Sequence, residues 1–223
     1  MNLSKYLINS KSQFTTGIDV IDQNIDIGKP SLISLCGDND MVTTSILHLM
    51  TERSVCNGRP AFYVNAAHAF EAELYGIRED ALERITRFES NSCSDLAILC
   101  EEVPENALVL YDNLAAAYGA EKPEEYMREF FATGEVMKRN KRVTFVFAEY
   151  FQGHNDEPLS TSCKRLDFRI NIRTIQRDVR SETHEMTIFS GGGPRQICTE
   201  RFVIPRNHAY HRYFADIARS KTC

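Results

Sequence analysis

The feature that most constrains this chain is a set of continuous apolar runs of strand length, alternating with segments of helical periodicity. The runs are Leu32-Ile33-Ser34-Leu35 ahead of Gly37, AFYVN at 61–65, ALVLY at 107–111 and VTFVFA at 143–148, with ITRF at 85–88 a weaker member. A strand that is apolar at consecutive positions needs cover on both faces, which a parallel sheet flanked by helices provides. The intervening segments supply that cover. Ile46, Leu47, Leu49 and Met50 follow the first run, and Leu96, Leu99, Cys100 and Val103 share one helical face. Met127, Phe130, Phe131, Gly134 and Met137 do the same from Pro123 onward. Ala66 to Tyr75 reads as a loop and short helix. The predicted fold class is therefore α/β, a mostly parallel sheet with helices on both faces.

The pattern changes after residue 163. Leu166 to Arg173 (LDFRINIR) alternates strictly, the mark of a half-exposed strand. Gly191-Gly192-Gly193-Pro194 separates HEMTIF (184–189) from QICTERFVI (196–204), which predicts an antiparallel C-terminal edge. The tail carries Tyr210, Tyr213, Phe214 and Ile217 on one helical face. Ahead of the first strand, Ile18, Ile21 and Ile25 fall at helical spacing, and Gly28-Lys29-Pro30 ends that segment. With no internal repeat or long linker, the expected organisation is an arm at 1–13 and a single domain at 14–223.

The stretch from Ser31 to Arg53 has the strand–glycine–helix layout of a phosphate-binding loop, in which backbone amides and a lysine hold phosphates at a helix N-terminus. The loop spacing G-x-x-x-x-G-K-[ST] reads here Gly37-Asp38-Asn39-Asp40-Met41-Val42-Thr43-Thr44. Gly37 and Thr44 match, while Val42 replaces the second glycine and Thr43 the lysine. A β-branched residue resists the positive φ that glycine supplies. Asp38 and Asp40 add negative charge that no lysine opposes. At an effective dielectric near 20, two unit charges about 4 Å apart interact by roughly 4 kcal/mol, so these carboxylates work against a polyphosphate. The expectation is a vestigial loop with no bound cofactor.

Seven scattered cysteines with no C-x-x-C pair point to reduced thiols rather than disulfides or a zinc site, and no ligand set accompanies His208 and His211. No metal is expected. The opening MNLSKYLINSKSQ lacks the apolar core of a signal peptide, and no apolar run reaches membrane-span length, so the expected location is nucleus or cytoplasm, not secreted and not membrane-bound. The net charge of −5 is uneven: residues 1–163 hold 14 Lys and Arg against 25 Asp and Glu, and residues 164–223 hold 12 against 6. The basic final quarter, with Lys164, Arg165 and Arg169, is a candidate nucleic-acid or acidic-protein surface; a solvated face reads equally well. Lys138 to Arg142 reads as an import signal or as cations at a helix C-terminus.

Taken together, these motifs resemble the RecA-like recombinase family, which includes the strand-exchange proteins and their paralogs. TTGIDVID (15–22) is similar to the family's entry segment, and FYVNAAHAFEAELYGI (62–77) to its second strand and turn. ALVLYDNLAAAYG (107–119) resembles its Walker B strand. The resemblance covers about residues 14–150 and implies a RecA-like P-loop core. It puts Ala67 at the position of the glutamate that activates water, Asn65 at the preceding aspartate position, and Asp112 at the magnesium-organising position. Lysine and base are both missing, parts that phosphoryl transfer requires. Glu149 is a possible substitute base, and Asp112 is otherwise expected to be satisfied by backbone amides.

The resemblance thus implies a non-catalytic pseudo-ATPase. It would be a recombinase paralog that binds RecA-like partners in a hetero-oligomer and assists homologous recombination and repair of DNA damage in the nucleus. DNA would be touched weakly or through the complex. Arg206, Arg212, Tyr213 and Phe214 are the candidate partner-interface residues, with core packing of the two aromatics as the plainer alternative. Two other readings stay open: a structural RecA-fold subunit of a tRNA-modifying, Elongator-type assembly, and an ATPase with an unorthodox loop.

Overall fold

The computed structural model describes residues 14–65, 77–90, 92–112, 114, 122–150, 165–191, 195–206, 210 and 213. The arm at 1–13, the expected short helix at 66–75, His208 and His211 lie outside them. The elements run α1 (Asp19–Asn24), β1 (Ser31–Gly37), α2 (Asp40–Cys56), β2 (Ala61–Asn65), α3 (Glu79–Leu82), β3 (Ile85–Glu89), α4 (Cys93–Glu102) and β4 (Leu108–Asp112). After these come α5 (Pro123–Lys141), β5 (Thr144–Tyr150), β6 (Phe168–Arg177), β7 (Ser181–Ser190) and β8 (Gln196–Pro205). Helix α3 is an element the sequence reading did not anticipate.

All eight strands form one mixed sheet in the order β3-β2-β4-β5-β1-β6-β7-β8. Strands β1 to β6 pair in parallel, and β6-β7-β8 is an antiparallel meander. The mostly parallel sheet and its antiparallel C-terminal edge are as expected.

Alternation along each strand divides the core in two. Ile33, Leu35, Tyr63, Leu108, Leu110, Val146, Ile170 and Ile172 pack on one face with Val42, Ile46, Leu47 and Met50 of α2 and Ile21 of α1. Leu32, Phe62, Val64, Val109, Tyr111, Phe145 and Phe147 pack on the other with Leu96 and Leu99 of α4 and Tyr126, Phe130 and Met137 of α5. Phe130 anchors the second cluster, with edge-to-face contacts to Tyr111, Phe145 and Phe147. At Gly134 the helix comes so near the sheet that an added Cβ would lie 3.0 Å from Leu32 Cδ1.

Local chemistry fixes the two ends of the first unit. The Asp22 carboxylate accepts from Thr16 N at 2.7 Å, Thr16 Oγ1 at 2.8 Å and Gly17 N at 3.0 Å, which closes the entry turn ahead of α1 with Gly17 at φ 79°. The Arg59 guanidinium, in the turn before β2, donates to the carbonyls of Ile27, Asn106 and Ala107 and to Thr144 Oγ1, and lies over the Phe14 ring. Burial brings it down to about 10 against the opposing pull of Asp26, so it stays protonated at neutral pH. Phe14 is accordingly a core residue of the entry segment, 8% exposed. Lys138, Arg139 and Lys141 sit in the last turn of α5, where Lys141 donates to the carbonyls of Glu101 and Val103 at the end of α4. That is the helix-terminus role, in which cations face unsatisfied carbonyls. No described helix is long and apolar enough to cross a membrane.

Candidate functional site

In open α/β sheets, ligands bind beyond the carboxyl ends of the parallel strands. Here that end gathers Gly37 of β1, Asp112 of β4, Tyr150 of β5 and the start of α2. The stretch between β1 and α2 is only Asp38 and Asn39, because the helix begins at Asp40. Val42 and Thr43 therefore lie in its first turn, and among the described residues no positive φ occurs between Gly37 and Thr44. The expected conflict between Val42 and a left-handed loop does not arise: the positions that would form a cradle have wound into helix, and Val42 is fully buried against the core.

The remaining space is filled from within. Thr43 is fully buried, and its hydroxyl donates back to the carbonyls of Asn39 at 3.1 Å and Asp40 at 2.9 Å. Its methyl lies over Gly37, 2.7 Å from where a Cβ there would stand. Glycine at 37 thus makes room for Thr43. The Asp38 carboxylate turns sideways to β6, accepting from Thr174 N at 2.9 and 3.0 Å and from Thr174 Oγ1 at 3.0 Å. Asn39 Nδ2 donates to Tyr210 Oη at 3.3 Å.

Thr44 and Asp112 do come together, as their motif positions imply, with the hydroxyl 3.4 Å from both carboxylate oxygens. Both oxygens are already occupied. Tyr63 Oη donates to Oδ2 at 2.6 Å and Tyr150 Oη to Oδ1 at 2.5 Å, while the Thr44 and Tyr150 hydroxyls lie 3.0 Å apart. Burial, reinforced by the Asp112 charge, holds the Tyr150 phenol well above its ordinary range, so it remains a neutral donor. Among the described residues the partners of Asp112 are side chains, phenols from β2 and β5 and the Thr44 hydroxyl; most of the residues just after it, whose backbone amides were expected to satisfy it, lie outside the described residues. Glu149, the possible substitute base, lies on the other face. Strand alternation sets it with Phe145 and Phe147, where it accepts from Cys36 Sγ at 3.4 Å.

Beyond the loop, a second buried group hangs on Asp38. Thr174 Oγ1 lies 3.3 Å from Nδ1 of His184, which is stacked on Phe202 and fully buried. Burial lowers the His184 pKa against the opposing charges of Glu182 and Asp38, so the ring is neutral at pH 7 and its 3.6 Å approach to Glu182 is no ion pair.

The other candidates divide between description and silence. Arg169, expected on a phosphate-contacting surface, is only 6% exposed; its guanidinium lies 4.5 Å over the Phe189 ring, and Nε and Nη1 have no hydrogen-bond partner among the described residues. That placement corrects the surface reading for Arg169. Arg165 is exposed. Arg206 approaches Glu182 at 3.7 Å, and Tyr213 stacks on Phe202 against the core. Ala67, Lys164, Arg212 and Phe214 lie outside the described residues. Among the described residues, no group of three or more His, Cys, Asp or Glu is arranged to hold a metal ion.

Sequence reasoning missed the two phenols on Asp112 and the Asp38–Thr174 latch. The signals available were a tyrosine in each of AFYVN and VTFVFAEY, each at the parity that shares a sheet face with Asp112. Comparison with protein-family models and with curated proteins gives no match for this sequence.

Proposed function

We propose that this chain is a non-catalytic RecA-like subunit, a recombinase paralog that works by pairing with related subunits rather than by turning over nucleotide. The observation that supports this reading is the self-filled loop. Strand, glycine, helix and distal aspartate follow one another as in a nucleotide site, yet Thr43 fills the space over Gly37, Asp38 is committed to Thr174, and Tyr63 and Tyr150 engage Asp112. An enzyme needs those groups free for the substrate. A subunit retained for its shape and surfaces does not. The role in homologous recombination and DNA repair, in the nucleus, follows from the motif resemblance.

Two measurements test it. Equilibrium binding of labelled ATP with magnesium should show no saturation at micromolar nucleotide; micromolar or tighter affinity overturns the pseudo-ATPase reading. The tagged chain should co-purify with RecA-like recombinase subunits from its own cells. Recovery of a tRNA-modification complex in their place would transfer the same fold to an Elongator-type role, and recovery of a monomer alone would end the paralog reading.

A further inference from the structure

The β6–β7 hairpin, with β8 paired beside it, reaches past the neighbouring parallel strands β1 and β5. Gly37, the last residue of β1, pairs with Ile172 on one side and with Tyr150, the last residue of β5, on the other. Residues Arg173 to Arg177 continue beyond both, a projection of about 16 Å at the usual rise per residue. The projection is anchored at its base and closed at its tip. The Asp38 latch holds Thr174, next to a register shift between Thr174 and Gln176 that re-aims the strand. At the turn, Asp178 accepts from Arg180 N and Ser181 N, each at 2.8 Å, and Arg206 N donates to Arg180 O at 2.8 Å, tying in the end of β8.

This ordered tip presents cations and aliphatic carbon outward. Arg177, Arg180 and Arg206 are exposed, Val179 is 90% exposed and Ile175 is 44% exposed. The two local carboxylates are already engaged: exposed Asp178 accepts from the turn amides, and Glu182, its side chain 10% exposed, accepts from Tyr210 Oη at 2.7 Å while lying 3.6 and 3.7 Å from Arg177 and Arg206. Among the described residues Arg180 has no carboxylate within ion-pair distance.

We propose that the tip of the β6–β7 hairpin is a docking surface for an acidic segment of a partner protein that also carries aliphatic side chains. Arginines beside exposed aliphatics match that chemistry, since guanidinium groups take carboxylates in bidentate geometry and apolar carbon gives the contact its affinity. A nucleic acid is held mainly through its phosphates and gains less than an aliphatic peptide from Val179 and Ile175, and its extended charge would run on from the tip to an acidic body, residues 1–163 holding 14 Lys and Arg against 25 Asp and Glu. The inference does not depend on kinship with recombinases.

The test uses the full chain and three fluorescent probes: a short peptide of alternating glutamate and leucine, an all-glutamate peptide of equal length, and an oligothymidylate of equal charge. The glutamate–leucine peptide should bind about tenfold more tightly than the all-glutamate peptide, the scale of burying one aliphatic side chain. Val179→Asp should abolish that preference, and Arg180→Glu should weaken both peptides about fivefold. Both positions are exposed, so unchanged melting curves verify that the variants fold. Equal binding of the two peptides overturns the proposal, as does tighter binding of oligothymidylate. So does a tip that instead joins copies of this chain, seen as a sedimenting dimer that Val179→Asp dissociates.

Discussion

Replacing Asp38 with alanine removes the latch between the vestigial loop and β6, and the structure sets the size of the effect. The carboxylate accepts from the backbone amide and the hydroxyl of Thr174, all at 3.0 Å or less. Hydrogen bonds to a charged group contribute about 1.5–3 kcal/mol each, and the partial exposure of Asp38 takes the pair to or just below the bottom of their combined range of about 3–6 kcal/mol, so the loss should be about 2–3 kcal/mol. For a chain of this size that corresponds to a fall in Tm of roughly 4–12 °C. Asp38→Asn, which keeps one carbonyl acceptor, should lose about half as much. Asp40→Ala is the control: its exposed carboxylate accepts, among the described residues, from the adjacent Met41 N, and its loss should cost less than about 0.5 kcal/mol. Calorimetric melting of the three variants reads this directly. If Asp38→Ala and Asp40→Ala melt alike, the latch has no energetic content. If Asp38→Ala keeps its stability and gains tight ATP-Mg binding, then the carboxylate was excluding nucleotide and the loop is not closed by its own structure.

Two further outcomes follow from buried groups. His184 has its pKa depressed by burial below the ordinary 6.5, so the unfolded chain takes up protons first; stability is fully present above 6.5 and is lost as pH falls through the folded-state value. Tm measured through that window should decline more steeply for the wild type than for His184→Phe, and parallel slopes would contradict the assignment. Gly134→Ala places a methyl 3.0 Å from Leu32 Cδ1 between α5 and the sheet, and despite alanine's better helix propensity it should destabilise by about 1–2 kcal/mol in urea titration; a more stable variant would show that the interface has slack.

The sequence carried the fold class in a form that depends on local chemistry. Apolar runs without alternation require burial on both faces, and the strict alternation of LDFRINIR marks a strand with one face exposed. The parallel core and antiparallel edge could both be read from those two patterns. The degeneracy of the loop was also legible, because a missing lysine and two added aspartates are facts of composition at known spacing. Even the parity that separates Glu149 from Tyr150 is written in VTFVFAEY.

Tertiary structure decided what the altered residues do. Nothing local tells that α2 begins at Asp40 and so removes the loop that Val42 was expected to strain; that follows from Val42 being drawn into the core beside Ile46. Nor does local sequence reveal that Asp38 reaches Thr174, 136 residues away, or that Tyr63 and Tyr150 close on Asp112 across 49 and 38 residues. These contacts depend on the strand order, which places β6 beside β1 and lets β2, β4 and β5 bring Tyr63, Asp112 and Tyr150 together on one face of the sheet. Periodicity specifies which face a residue takes, because that is a property of its neighbours in the chain. Which partners it meets on that face is set by how the strands are shuffled, and that is a property of the whole packed sheet.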